Sequence, residues 1–340
     1  MDRLKKKNKF DGSLIYGAKE FQKETGRLPS NKDKPFGLKI FEKYGDFNTG
    51  LIKDGFVEKR GKCPLCSSKN IKELFLKHGL SYLLCDNCGF YYVDPILKEE
   101  VLMEFYKNEE TWYNVLQSEI QQKMDNLKFN YGLDLINNYT KEGTLLDVGS
   151  GSGHFMKIAN SRGWESIGIE FNHHEVEQSR KEGLCIIEEE LDSSYFNDKT
   201  YDMITMWEVL EHLKDPREII KRSNELLPVG GLLFILVPNR DSFLNRILHE
   251  KSGSFTPHCH ISMFNESTLS NLLNQEGFEI LESETIVSEK NNILNHLNYQ
   301  NAYFGETNND LSFINPEFIH ANMLGCKLLS ISKKKSSIHT

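Results

Sequence analysis

Residues 144–155 read TLLDVGSGSGHF, an apolar run that ends in the acid Asp147 and then sets Gly149, Gly151 and Gly153 at alternate positions. Glycine lets a backbone turn sharply and approach a ligand closely where a strand gives way to a helix. Outward from this loop the pattern alternates: strand 144–149, helix 154–162, strand 165–170, helix 173–182, strand 184–188, strand 201–207, helix 215–227 and strand 231–237. That order predicts an α/β fold with a doubly wound sheet. The continuous apolar runs MITMW and GLLFILV fit parallel strands buried on both faces. A helical STLSNLLNQEG then precedes FEILESETI, and the chain closes near GCKLLSISKKK.

The glycines follow G-x-G-x-G spacing rather than G-x-G-x-x-G. A pyrophosphate loop would aim a helix N-terminus at an anion. Here an acid stands two residues before the first glycine, where it suits a cationic amino-acid group better than a phosphate. That favours S-adenosylmethionine over a dinucleotide, with a nicotinamide loop or a purely structural turn as the alternatives. The next strand, WESIGIE, ends in Glu170, a position from which a carboxylate accepts both ribose hydroxyls. A surface acid at a strand end is the plainer reading of the same residue.

Four of the seven cysteines are clustered as CPLC (Cys63, Cys66) and CDNC (Cys85, Cys88). The C-x2-C-x18-C-x2-C spacing is that of a structural zinc ribbon, whose four thiolates leave no open coordination position. Gly89 follows the second pair, where a knuckle needs positive φ. Two disulfides are the alternative, disfavoured in a reducing compartment. Cys185, Cys259 and Cys326 are scattered singles of the kind that pack in cores.

Composition is that of an ordinary globular chain, 39% hydrophobic and 26% charged over 340 residues. No run approaches the roughly 18 apolar residues of a membrane span, and the N-terminus has no apolar signal-peptide core, so a cytoplasmic location is expected. The formal net charge is −8, yet the first 60 residues carry 15 Lys and Arg against 9 Asp and Glu. This asymmetry suggests separate modules: a basic helical module over 1–60, a zinc ribbon over 61–95, a helical connector over 96–119 and a catalytic domain over 120–335. A helix is expected over 14–27, with a second apolar-periodic stretch after LPSNKDKP.

Taken together, Asp147, Glu170 and the later segment EVLEH (Glu208 to His212) followed by Asp215–Pro216 resemble the class I S-adenosylmethionine-dependent methyltransferases, in particular the subgroup of ubiquinone-pathway O-methyltransferases. The resemblance spans about 120–335 and implies a Rossmann-like fold. It implies that Asp147, Gly149, Gly151 and Gly153 hold the methionine end of the cofactor and Glu170 the ribose. Asp192 falls where the family contacts the adenine amino group, and Trp207 and Glu208 where it lines the sulfonium and the substrate mouth. The ribbon, with its C-x-x-C-G-F-Y-Y-V-D-P ending, is similar to the N-terminal part of methyltransferases that modify sugars and surface polysaccharides. Residues 14–56 resemble, loosely, the helical repeat that accompanies homing endonucleases, with Phe47 where Trp is usual.

Methyl transfer from a sulfonium needs an aligned acceptor and, for a hydroxyl, a group to take its proton. Histidine suits that role. His212 belongs to EVLEH, and His260 lies in HISMFNESTL, which resembles the family's H-x-x-x-F-[ST]-x-x-x-L segment. His212 reads equally as a residue that orients its turn. The acceptor expected is a small molecule, a sugar or nucleotide-sugar. The alternative is RNA or DNA, bound by the basic module and the ribbon, although no [ND]-P-P-[YF] motif for base-amine methylation follows the fourth strand. A non-catalytic sensor of S-adenosylmethionine is a third reading. The long stretches 240–256 and 287–320 are expected to act as lids or interfaces.

Overall fold

The computed structural model describes residues 36–106, 119–288, 293 and 315–336. The helix expected over 14–27 and most of the 287–320 stretch lie outside them. The chain divides into two compact units, each assembled from three pieces of sequence. The first holds Met1–Met124, Asn239–Phe264 and Thr285–Lys327, and the second Asp125–Pro238, Asn265–Glu284 and Leu328–Thr340.

In the first unit, helix Phe36–Tyr44 leads into the short pair β1 (Gly45–Asp46) and β2 (Leu51–Ile52), followed by β3 (Val57–Glu58). The turn between β1 and β2 is closed by the Asp46 carboxylate, which accepts the Asn48 N–H at 2.8 Å, and by Gly50 at φ +73°. Strands β4 (Ile71–Lys77) and β5 (Leu80–Cys85) form a hairpin. His78 and Gly79 both take positive φ, the requirement of a two-residue turn whose twist matches the strands. β6 (Tyr91–Val93) continues the sheet, while β7 (Ile96–Leu97) pairs with β3. The fourth strand of the ribbon's sheet comes from far along the chain. Ser262 and Met263, as β13, pair antiparallel with Tyr92 and Tyr91 of β6. One core joins these pieces, with Ile40, Tyr82, Val93, Phe255 and Met263 all buried in it.

The stretch 240–256 is folded, not a bare loop. It carries helix Phe243–Leu248, whose Ser242 cap accepts the Asn245 N–H, and a turn of 3-10 helix over His249–Lys251. Buried Asn239 donates to the carbonyls of Met323 and Gly325 at 2.9 and 2.8 Å, and Asn245 donates to those of Asn239 and Arg240. Buried amides must find partners, and these bonds fix the path of the segment.

The second unit is built on a seven-stranded sheet in which β8 (Gly143–Val148), β9 (Trp164–Ile169), β10 (Cys185–Ile187), β11 (Met203–Trp207), β12 (Leu232–Pro238), β14 (Phe278–Ile286) and β15 (Lys327–Lys334) take the order β10-β9-β8-β11-β12-β15-β14. The first five are mutually parallel. β15 runs against β12, as the bonds Asn239 N to Cys326 O and Lys334 N to Gly231 O at its two ends require. Every residue of β11 and β12 is buried, so their apolar runs face helices on both sides. The connecting helices obey local rules. Asn172 caps helix His173–Lys181, Pro216 opens helix Pro216–Leu226, and Asn265 with Thr268 forms a capping box on helix Glu266–Gln275. Among the described residues no helix is long and apolar enough to cross a membrane.

Candidate functional site

The five parallel strands point their C-terminal ends to one edge, the edge where open α/β sheets bind ligands. Asp147 lies near the end of β8, Glu170 directly follows β9, Asp192 lies in the turn after β10, and Trp207 and Glu208 end β11. The strand order thus gathers five residues spread between positions 147 and 208 of the sequence.

Gly149, Gly151 and Gly153 adopt φ of +74°, +52° and +71°. They differ in what surrounds them. A Cβ on Gly149 would lie 2.6 Å from the Val209 side chain, and one on Gly153 would lie 2.2 Å from Leu184. A Cβ on Gly151 would meet no atom within 4 Å. The outer glycines are therefore required by packing, and the middle one faces open space.

Glu170 is wired into this loop. Its Oε2 accepts the Gly151 N–H at 2.8 Å, and its Oε1 accepts those of Phe171 and Asn172, each at 2.8 Å. A carboxylate offers about four acceptor positions, so one remains for a ligand hydroxyl. Asp147 is 2% exposed and accepts the Thr205 hydroxyl at 2.6 Å. Burial pushes its carboxyl up to about 7; the Thr205 bond opposes that shift and the charge of Glu170 adds to it. A cation seated beside Asp147 would reverse the shift, which fits the ammonium and sulfonium of S-adenosylmethionine. The cradle open at Gly151, the spare position on Glu170 and the cation-seeking Asp147 are together compatible with that cofactor.

Asp192 is exposed in its turn. The Trp207 indole is 9% exposed and packs on Phe129, Phe155 and Phe234 at centroid distances of 4.8, 5.0 and 4.3 Å, a core placement. Glu208 has φ +59°, and the Lys128 ammonium lies 3.1 Å from its carboxylate and 2.8 Å from that of Asp125. His212 ends a short 3-10 turn, Leu210–His212, and is exposed. His260 belongs to the first unit, where its Nδ1 lies 2.9 Å from the Ser254 carbonyl. Thr205, Gly168 and Lys128 were not singled out from the sequence. Thr205 is hidden inside an apolar strand run. Gly168 carried a signal, a glycine inside a strand, and a Cβ there would lie 2.5 Å from the Ser150 hydroxyl.

In the first unit Cys63, Cys66, Cys85 and Cys88 place their sulfurs within 4.8 Å of one another, and all are free thiols. Cys63 and Cys88 lie 3.6 Å apart, Cys66 and Cys85 3.5 Å. Sulfurs around a tetrahedral zinc at about 2.3 Å stand about 3.8 Å from one another, whereas a disulfide closes to about 2.05 Å. The set is spaced for a metal. The two knuckles are alike: Ser67 N donates to Cys63 O and Gly89 N to Cys85 O, and both donors take positive φ, +57° and +74°.

A family described as a methyltransferase domain matches residues 121–283, just under half the chain. An uncharacterised protein of Methanocaldococcus jannaschii is 25% identical over 158 residues, covering 46% of this chain and 75% of that protein. The ubiquinone biosynthesis O-methyltransferase of Serratia proteamaculans is 28% identical over 106 residues, covering 29% of this chain and 44% of the enzyme. The chain thus spans less than half the length of that relative. Among solved structures, a SAM-dependent methyltransferase from Archaeoglobus fulgidus is 19% identical with a TM-score of 0.43, covering 62% of this chain and 94% of that one. The sheet order described above is that of the Rossmann-like methyltransferase fold.

Proposed function

We propose that residues 121–283, which match a family described as a methyltransferase domain, form a class I S-adenosylmethionine-dependent methyltransferase domain, and that the protein moves a methyl group from S-adenosylmethionine to an oxygen of a small molecule, a sugar or nucleotide-sugar. The observation that carries the reading is the Asp147–Gly151–Glu170 arrangement, in which a buried acid and a backbone-clamped acid flank a glycine with open space before it. When bound, the cofactor supplies an electrophilic methyl on a sulfonium. Asp147 balances the cationic methionine end, Glu170 accepts from the ribose, and Asp192 stands on the adenine side. Gly151 leaves the room in which they meet. Trp207, packed on Phe129, Phe155 and Phe234, supports the end of β11 from the core side. His260 takes the acceptor's proton, and His212 orients the turn it ends. Sugar chemistry is favoured by the ribbon's likeness to sugar-modifying enzymes and by MWEVLEH standing where base-amine methylases carry [ND]-P-P-[YF]. The four thiolates hold a structural zinc, closed to substrate.

Calorimetry tests the cofactor site: Asp147→Ala and Glu170→Ala each abolish S-adenosylmethionine binding, and unchanged binding in both sinks the assignment. The acceptor class is tested by transfer of labelled methyl into fractionated cell extract. Label in a small nuclease-resistant fraction is the expected result, and label released from polymer by nuclease would move the acceptor to nucleic acid.

A further inference from the structure

Tyr92, in the middle of β6, is fully buried, and its hydroxyl has no hydrogen-bond partner among the described residues. A buried hydroxyl left in that condition is costly, so what lies around it matters. In the β5–β6 ladder Tyr92 stands opposite Leu83. Cys85 follows two residues after Leu83, and its side chain leaves the same face of the sheet. That face continues at Phe90, whose carbonyl accepts the Cys85 N–H at 2.9 Å and whose ring stacks on that of Tyr92 at 6.3 Å. The chain leading into the first knuckle is latched just past the same strand. There the Asp94 carboxylate accepts the N–H groups of Arg60 and Gly61, each at 2.9 Å, and the Arg60 guanidinium lies over the Tyr92 ring at 5.6 Å.

The phenol registers both knuckles. Burial pushes it up most, the charges of Cys63, then Asp94, then Cys85 add to the shift, and Arg60 opposes it. One cysteine from each pair therefore acts on this hydroxyl, Cys63 the more strongly. As free thiols the sulfurs satisfy one another, Cys63 with Cys88 and Cys66 with Cys85. A metal changes that balance. Each S–H bond is replaced by a metal–sulfur bond, the protons pass to solvent, and four thiolates around a divalent cation make an anionic centre. Thiolates held in this way still accept hydrogen bonds, and a buried anionic centre needs donors around it.

We propose that Tyr92 is an outer-shell donor of the metal centre: with zinc on Cys63, Cys66, Cys85 and Cys88, the Tyr92 hydroxyl hydrogen-bonds to the Cys63 thiolate. The inference rests on the reading of the four cysteines as a zinc site and adds to that site a residue that no cysteine spacing contains. The hydroxyl draws charge off the sulfur, which holds the thiolate on the metal and against protonation.

The test is zinc binding by the full chain, reduced and stripped of metal, in competition with a chromophoric chelator, together with the absorption spectrum of the cobalt-loaded protein. Tyr92→Phe keeps the ring and its packing but removes the hydroxyl. The expected result is a zinc affinity lower by on the order of tenfold or more in the variant. Its thiolate-to-cobalt charge-transfer band is expected at longer wavelength than in the wild type, because a sulfur without its donor gives up charge more easily. A residue that only fills the core would leave that band in place. Equal zinc affinity in the two proteins overturns the proposal, as does a weakened affinity with an unmoved band. Should Tyr92→Phe fail to fold, the wild type decides: its Tyr92 hydroxyl proton is expected to move downfield in the NMR spectrum on zinc loading, and an unmoved signal overturns the proposal. A wild type that takes up no zinc would instead defeat the reading of the four cysteines, and this inference with it.

Discussion

At the residue scale the proposed role of Asp147 has a pH consequence, because burial pushes its carboxyl up to about 7. Only the ionised form balances a cation. The expected outcome is S-adenosylmethionine affinity about tenfold weaker at pH 6 than at pH 8, measured by calorimetry in both buffers. The same shift has a cost in the empty protein. A carboxyl whose folded pKa stands above its unfolded value binds more protons in the fold between about pH 4 and 7, so the stability it lends falls as pH rises through that window. Asp147→Asn is therefore expected to lose the cofactor yet raise the stability of the empty protein at pH 8 by on the order of 2–4 kcal/mol, read from denaturant melts. The acid itself was legible from its place before the glycines. Its partner Thr205 was not, since a threonine between Ile204 and Met206 reads as one more strand former.

At the element scale the glycine loop separates two demands that its sequence spacing merges. Gly153→Ala combines positive φ with a Leu184 contact at 2.2 Å, whereas Gly151→Ala has positive φ with open space. Thermal melts are expected to show Gly153→Ala costing about 1–3 kcal/mol more than Gly151→Ala, with Gly151→Ala the more damaging to cofactor affinity relative to its stability loss. The alternating elements around the loop were legible because β11 and β12 are buried on both faces and the helices open on an Asn, Pro or Gly. Boundaries moved by a residue or two: strand 201–207 is Met203–Trp207, and strand 184–188 is only Cys185–Ile187. The short pair β1 and β2 could not be read, for two-residue strands are set by the Asp46 and Gly50 turn rather than by any periodicity.

For the whole molecule the interleaving of the two units matters most. Domain boundaries drawn along the sequence leave 239–264 with the sheet it follows, but those residues group with the ribbon. Nothing local in SMF announces that Ser262 and Met263 will pair with residues 170 positions earlier; the pairing depends on the turn at Thr256–His260 and the buried amides of Asn239 and Asn245. If the four thiolates hold zinc, chelation acts well beyond the knuckles. Hydrogen exchange is expected to quicken at Val93 and Ser262–Met263 on metal removal, while helix Pro216–Leu226 keeps its protection.

The late arrival of β13 also sets a timetable. During synthesis β6 is made long before its partner, and at about 5–20 residues per second the ribosome needs about 10–30 s to travel from one to the other. Through that interval β6 is the outer strand of a half-built sheet, its unpaired amides a template for any neighbouring nascent chain. A sheet that must wait for its own fourth strand keeps an open edge until residues 262–263 have been translated.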